Sequence, residues 1–197
     1  MPQQHIYLIR HGETEWSRSG QHTGRTDIPL TAEGERAAQA LGRALANHTF
    51  SPILSSPLAR ARETCRLAGL AAAAQIDPDL QEWDYGIYEG RTTLDIRAEN
   101  PQWSVWLSPI VNGESLEEVA TRARRVIDRV TAATAPDGNA ALFAHGHILR
   151  ILAACWIGQP PITGRYLALD TATISVLGYE RQTRVIRRWN VAPPEPA

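Results

Sequence analysis

Ile6-Tyr7-Leu8-Ile9-Arg10-His11-Gly12-Glu13-Thr14 sets four apolar residues directly against a cation, an imidazole and a glycine. Consecutive apolar residues cut off by a glycine read as a short buried strand, here over residues 5–10. Gly12 lets the backbone turn sharply or approach a ligand closely, where a side chain would obstruct it. The tip of a buried strand is also where open α/β sheets place ligands. A strand ending in Arg10 and His11 therefore offers a nucleophile beside an anion-binding charge. Taken alone, the triplet fits a solvated surface loop equally well.

The same ending recurs: Ala140-Ala141-Leu142-Phe143-Ala144 is a second buried run, and it stops in His145-Gly146. Between and around the two runs, strand and helix signals alternate. Polar residues 13–29 read as a long loop or short helix. Thr31 suits the N-cap of a helix to about residue 47, with Ala37, Ala38, Leu41, Ala44 and Leu45 on one face. Pro52 to Ser55 reads as a strand, and Ser56 and Pro57 suit the N-cap and first turn of a helix carrying Arg60, Arg62, Thr64 and Leu67. Residues 78–113, rich in Trp, Tyr, Gly and Pro, read as an excursion with one or two short helices. Ser115 and Glu118 form a capping box opening a helix to about residue 134, and an apolar helix runs from Ile148 to about Ile157. Thr173 to Tyr179 and Val185 to Trp189 form a hairpin expected at the sheet edge. This alternation predicts an α/β protein, a three-layer α/β/α sandwich whose central sheet is mainly parallel with helices on both faces. One domain is expected over residues 1–191, with a disordered proline-rich tail over 192–197.

Bulk properties narrow the field without naming a function. The 197 residues suffice for a substantial core, and 43% hydrophobic with 21% charged residues argues against disorder. A formal net charge of -1 gives no global field for nucleic acid or membrane, so any anion must be met by local charge. Every one of the 20 basic residues is arginine, which removes lysine nucleophiles and Schiff bases. Cys65 and Cys155 show no metal-ligand spacing and are expected to be buried free thiols. No signal peptide is recognisable and no apolar run reaches membrane-spanning length, so a cytoplasmic location is expected.

Phosphoryl transfer is the chemistry these groups suit. A phosphoryl group in flight spreads charge over its equatorial oxygens and needs several donors around it. His11 can serve as nucleophile, since a neutral imidazole forms covalent intermediates near neutral pH. Arg10 lies beside it, Arg60 one turn into a helix has a fork able to hold two phosphate oxygens, and His145 repeats the strand-end placement. A departing alcohol needs a proton, and Glu82 sits between Gln81 and Trp83 with Tyr85 near, where desolvation favours the acid form. Singly, Arg60 and Glu82 read equally as solvated charges; jointly, the four places converge. Trp103 and Trp106 read either as a cover over the active site or, the favoured reading, as ordinary packing against the sheet.

These motifs resemble the histidine phosphatase superfamily, which includes cofactor-dependent phosphoglycerate mutases and many phosphatases. The resemblance runs from about residue 5 to 179 through Leu8 to Thr14, Ser55 to Thr64, the Glu82 segment and His145-Gly146. It implies the phosphoglycerate mutase-like fold, His11 as the phosphorylated nucleophile, Arg10, Arg60 and His145 as phosphate ligands, and Glu82 as proton donor. The stretches Thr14 to Asp27, Glu82 to Gly86 and Phe143 to His147 are similar to the branch of sedoheptulose-1,7-bisphosphatase-like enzymes and bacterial acid phosphatases. By that similarity Ser17 and the Thr23-Gly24 pair approach phosphate or substrate. Gln21 and Gly146 are expected there too, with His22, Trp83, Tyr85 and Arg91 as further candidates for the alcohol half.

The expected function is hydrolysis of small phosphomonoesters, sugar phosphates or bisphosphates among them, through a phosphohistidine, with no cofactor and no metal. The alternative is a cofactor-dependent phosphoglycerate mutase. Mutases usually carry asparagine at the Ser17 position and a longer, more basic insertion after the Glu82 segment; here the residues between Gly90 and Ser115 number about two dozen, and the basic ones among them are Arg91 and Arg97. A metal site at His11, His145 and His147 is disfavoured because no cysteine or carboxylate cluster accompanies them. The expected partner is a small phosphorylated metabolite, not nucleic acid or membrane, with monomer and homodimer both open.

Overall fold

In a computed structural model that describes residues 4–194, the order of elements is β1 (His5–Arg10), α1 (Glu15–Ser19), α2 (Ala32–Leu45), β2 (Ile53–Ser55), α3 (Ala59–Leu67), β3 (Ala74–Ile76), α4 (Thr93–Glu99), α5 (Leu116–Ala133), β4 (Asn139–Ala144), α6 (Gly146–Trp156), β5 (Ile174–Glu180) and β6 (Thr183–Val191). The strands form one sheet in the order β3-β2-β4-β1-β5-β6. Three neighbouring pairs are parallel, and the hairpin β5-β6 joins β1 antiparallel at one edge. The strand β3, which sequence patterning did not single out, closes the other edge beside β2. Of the expected tail, residues 195–197 lie outside the described residues, and 192–194 have no regular structure.

Alternation along the strands sorts the core into two layers, because successive side chains of a strand face opposite sides. Ile6, Leu8, Leu142 and Ala144 pack with Val119, Val126, Ile148 and Leu152 of α5 and α6. Ile9, Ala141 and Phe143 pack on the opposite face with Leu41, Leu45 and Cys65 of α2 and α3. The result is the expected three-layer sandwich. The N-cap expected at Thr31 and the capping box expected at Ser115 are both present. The start of α3 differs: the helix opens at Ala59 with Leu58 at the cap, and Ser56 and Pro57 stay in the preceding turn. Ser56 is instead drawn inward, its Oγ lying 2.7 Å from His145 Nε2.

The register of the central strands fixes where chemistry can occur. Arg10 lies opposite Ala144 and Ser55 opposite Phe143, so β1, β4 and β2 end side by side. His11, His145 and Ser56 are the next residues along each chain. Gly12 serves this placement differently from the sequence reading. A Cβ there would stand 2.4 Å from the Gly34 carbonyl oxygen, and one on Gly34 would stand 2.2 Å from the Glu13 oxygen. The close approach is thus to the backbone of α2 rather than to a ligand, and it presses the turn after β1 against the fold.

Candidate active site

His11 ends up 4% exposed, with its Nδ1 2.7 Å from the Gly12 carbonyl oxygen. A carbonyl only accepts, so Nδ1 carries the hydrogen and Nε2 presents a lone pair. Burial first, then the nearby Arg60 and Arg10 guanidinium groups, hold the His11 pKa well below 6.5. The ring is therefore neutral, as a nitrogen nucleophile must be. Arg10 donates through Nη1 to the Leu169 carbonyl, while its Nε is sealed from solvent and has no hydrogen-bond partner among the described residues. A buried, unpaired N–H on a cation is costly unless an anion meets it.

Glu82, 5% exposed, faces the same space. Its Oε1 accepts from the backbone N–H of Trp83 and of Ile148, each at 2.9 Å, and its Oε2 accepts from that of His147 at 2.9 Å. Two of these donors belong to the first turn of α6, whose free N–H groups suit a carboxylate. The aromatic surroundings expected from sequence are present, and three backbone donors accompany them. Oε1 is doubly occupied; Oε2 keeps a lone pair able to carry a proton.

A cavity of about 180 Å³ joins these groups, lined by Arg10, His11, Glu82, Tyr85, His147 and Arg150 together with residues of the α1 loop. Of the expected contacts, Ser17, Gln21, Thr23 and Gly146 line it. The Ser17 hydroxyl is engaged in the capping box of α1, donating to the Thr14 carbonyl at 2.9 Å. Gln21 donates to the Gly90 carbonyl and Thr23 Oγ1 to the Gln21 carbonyl. Gly146 stands where a Cβ would come 3.4 Å from Arg10 Cζ and 3.6 Å from Glu82 Oε2, between the cation and the acid.

Arg60, His145 and Gly24 form a layer behind the cavity rather than its lining. Arg60 is completely buried, and its fork is spent on carbonyl oxygens: Nη1 to Thr26 at 2.9 Å, Nη2 to Thr23 at 3.0 Å and to Gly24 at 2.7 Å. Its Nε donates to His145 Nδ1 at 3.1 Å. The two-oxygen grip read from sequence is thus replaced by a clamp on the loop 23–26. Because Arg60 can only donate, His145 Nδ1 is the acceptor and Nε2 carries hydrogen, which goes to Ser56 Oγ. Desolvation and the Arg60 charge hold the His145 pKa well below 6.5. The His11 and His145 rings lie 5.1 Å apart between centroids. Gly24 fills a place where a Cβ would stand 2.5 Å from the Trp83 carbonyl oxygen, and its N–H donates to Glu89.

Sequence reasoning missed Ser56 as a site residue, reading it as a cap, and it missed Arg150 and Leu169. Arg150 had a signal: it lies one turn beyond His147 on α6, and its guanidinium stacks 4.7 Å from the Trp106 ring centroid. Leu169 had none, since it reaches the site through its backbone carbonyl. Among the further candidates, His22 and Tyr85 line the cavity, whereas Arg91 pairs with Glu99 at 2.6 Å outside it. Trp103 belongs to the core cluster that includes the sheet residues Ile6 and Leu8, and Trp106 packs against it; their rings also lie 5.3 Å from His22 and 5.1 Å from His147 of the cavity lining.

Comparison with known proteins identifies the family. The sequence matches the histidine phosphatase superfamily (branch 1) over residues 6–192. It is 37% identical over 182 residues to an acid phosphatase of Mycobacterium tuberculosis, spanning 91% of this chain and 88% of that protein. It is 36% identical over 181 residues to sedoheptulose 1,7-bisphosphatase of Saccharomyces cerevisiae, spanning 77% of this chain and 66% of the yeast protein. A Yersinia enterocolitica protein named "Probable phosphoglycerate mutase GpmB" is 31% identical over 193 residues, with 93% and 89% covered. Among solved structures, the Mycobacterium tuberculosis open reading frame Rv3214 superposes with a TM-score of 0.91 at 34% identity, covering 97% of this chain and 99% of that one. Among the described residues, no helix is long and apolar enough to cross a membrane.

Proposed function

The chain belongs to the histidine phosphatase superfamily, branch 1, and from that premise we propose that it hydrolyses small phosphomonoesters through a phosphohistidine at His11. One observation carries the reading: His11, its Nδ1 turned to the Gly12 carbonyl and its Nε2 lone pair left free, lines one cavity with Arg10 and Glu82.

The reaction runs in two balanced steps. In the first, His11 Nε2 attacks phosphorus, the bond from phosphorus to the ester oxygen breaks, and the alcohol leaves with the proton of Glu82. In the second, Glu82 takes a proton from water, the water oxygen bonds to phosphorus, and the nitrogen-phosphorus bond breaks. Arg10, which lines the cavity, offsets the charge of the phosphoryl oxygens with its guanidinium. Arg60 and His145 act from behind, the first fixing the 23–26 loop and the second held beside His11. Ser17, Gln21, Thr23 and Gly146 border the phosphate and the alcohol half, and Gly24 supports them as a packing residue.

Sugar phosphates fit the reading, since a phosphatase named for a sugar bisphosphate is among the relatives. A mutase reading, favoured by the name of another relative, needs basic residues to grip a phosphoglycerate carboxylate. The two expected from sequence are engaged elsewhere: Arg91 with Glu99, and Arg97 through Nε with the Trp103 carbonyl at 2.9 Å. The test is to quench the enzyme with radiolabelled p-nitrophenyl phosphate and locate an alkali-stable, acid-labile label. It should map to His11 and vanish in His11→Ala together with phosphate release; wild-type turnover by His11→Ala would end the proposal. A panel of sugar phosphates and 3-phosphoglycerate separates the classes, because isomer formation from 3-phosphoglycerate would indicate a mutase.

A further inference from the structure

At the start of α6 a line of contacts runs from the proposed acid to a phenol. The His147 backbone N–H donates to Glu82 Oε2, and its side-chain Nδ1 lies 2.6 Å from the Tyr85 hydroxyl oxygen. Both side chains line the cavity. They are held in place on several sides: Trp106 packs on the His147 ring at 5.1 Å between centroids, Trp83 at 6.0 Å, and His22 on the Tyr85 ring at 4.9 Å.

A Tyr85 hydroxyl donating to His147 Nδ1 accounts for the length of their hydrogen bond, and we take that direction. At 2.6 Å the bond is shorter than N–H···O contacts usually run and within the range of an O–H donor. Burial keeps both groups neutral: it holds His147 well below 6.5, with Arg150, His22 and Arg10 adding to the effect, and Tyr85 well above 10, with Glu82 adding. Tyr85 therefore donates to Nδ1, and the ring hydrogen of His147 sits on Nε2. Tyr85 is left with lone pairs only, while His147 Nε2 is a donor. A hydroxyl group, with one hydrogen to give and lone pairs to receive one, satisfies both. A carboxylate can use the Nε2 hydrogen but sets its lone pairs against those of the phenol.

We propose that His147 is a positioning residue for specificity: by accepting the Tyr85 hydrogen it fixes that phenol as an acceptor, so the site favours phosphoesters bearing a hydroxyl, over a carboxylate, on the alcohol half. The proposal rests on this cavity being the phosphoester site. Arg150, which also lines the cavity, draws any second anion. The informative quantity is therefore the change in ligand preference on substitution, rather than the preference itself.

Glycerol 3-phosphate and 3-phosphoglycerate differ only in a CH₂OH against a carboxylate. Their dissociation constants are to be measured by calorimetry on the full chain carrying His11→Ala, which needs no turnover. Adding His147→Leu, which frees the Tyr85 hydrogen to point into the cavity, should shift the ratio roughly tenfold toward 3-phosphoglycerate. His147→Asn, whose amide oxygen replaces Nδ1, should leave the ratio within about twofold, and Tyr85→Phe should abolish any further effect of His147→Leu. Equal weakening of both ligands with an unchanged ratio would overturn the proposal. Nitrogen NMR of the unsubstituted protein tests the same point without any variant: His147 should carry its hydrogen on Nε2, and the opposite tautomer also overturns it. If the wild type released no phosphate from p-nitrophenyl phosphate and formed no phosphohistidine while the ratio still shifted, the hydrolase reading would fail and this one would stand.

Discussion

Replacing Arg60 distinguishes a clamp from a phosphate ligand. In Arg60→Ala, four hydrogen bonds vanish: those to the carbonyls of Thr23, Gly24 and Thr26, and that to His145 Nδ1. Thr23 and Thr26 are half-buried, so water can reach their carbonyls, whereas Gly24 and His145 are buried and their acceptors are left bare. Each such acceptor costs about 1–3 kcal/mol. Removing a guanidinium that was itself desolvated returns part of that, and Asp27, its ion-pair neighbour at 3.9 Å, is exposed enough to be hydrated alone. The net loss is about 2–5 kcal/mol, which for a domain of this size lowers Tm by roughly 5–15 °C. Arg60→Lys keeps the charge but cannot span His145 and three carbonyls, so it should fall between. The assay is thermal unfolding by circular dichroism beside turnover of p-nitrophenyl phosphate. A variant as stable as wild type, within about 0.5 kcal/mol, but catalytically dead would refute the clamp and restore a guanidinium facing phosphate.

Two further perturbations probe the acid and the histidines. Glu82→Gln should slow hydrolysis of alkyl phosphates by about 10²- to 10⁴-fold, yet with p-nitrophenyl phosphate, whose leaving group needs little protonation, it should give a burst of phenol and then slow turnover; stopped-flow traces showing equal slowing without a burst would remove Glu82 as proton donor. His22, packed between Tyr85 and Trp103, has its pKa lowered from 6.5 to about 4 by desolvation, and His11, His145 and His147 are also held low. The unfolded chain then binds more protons than the folded one between those values. Stability is full above pH 6.5 and falls as pH drops, by roughly 3 kcal/mol at pH 4 for His22 alone. Urea unfolding at pH 7 and pH 4.5 should show that loss, and equal midpoints would contradict the buried neutral histidines.

Much of this was readable before any coordinates because the relevant signals are local. A four-residue apolar run before Arg10-His11-Gly12 fixes a strand end, and a serine three residues before a glutamate caps α5. What escaped were properties that depend on which strands become neighbours. Ser56 looked like a cap because serine before proline usually is one; only the β2 to β4 pairing brings it under His145. The β3 strand is three residues of Ala-Gln-Ile with no alternation to betray it. Arg60 looked like a free fork because sequence cannot show that the 23–26 loop folds back over α3 and presents three carbonyls to it.

That last difference changes how the site is assembled. Arg10 and Glu82 bring opposite charges to the cavity, while the donors of the Arg60 guanidinium are spent on carbonyl oxygens and an imidazole behind it. Arg60 still acts on His11 through space, since it stands second only to burial among the causes that keep that ring neutral. A residue behind the pocket thus supports the nucleophile's charge state and holds the loop that walls the pocket. Sequence order alone cannot assign these roles, because they follow from which donors remain unspent once the chain has folded.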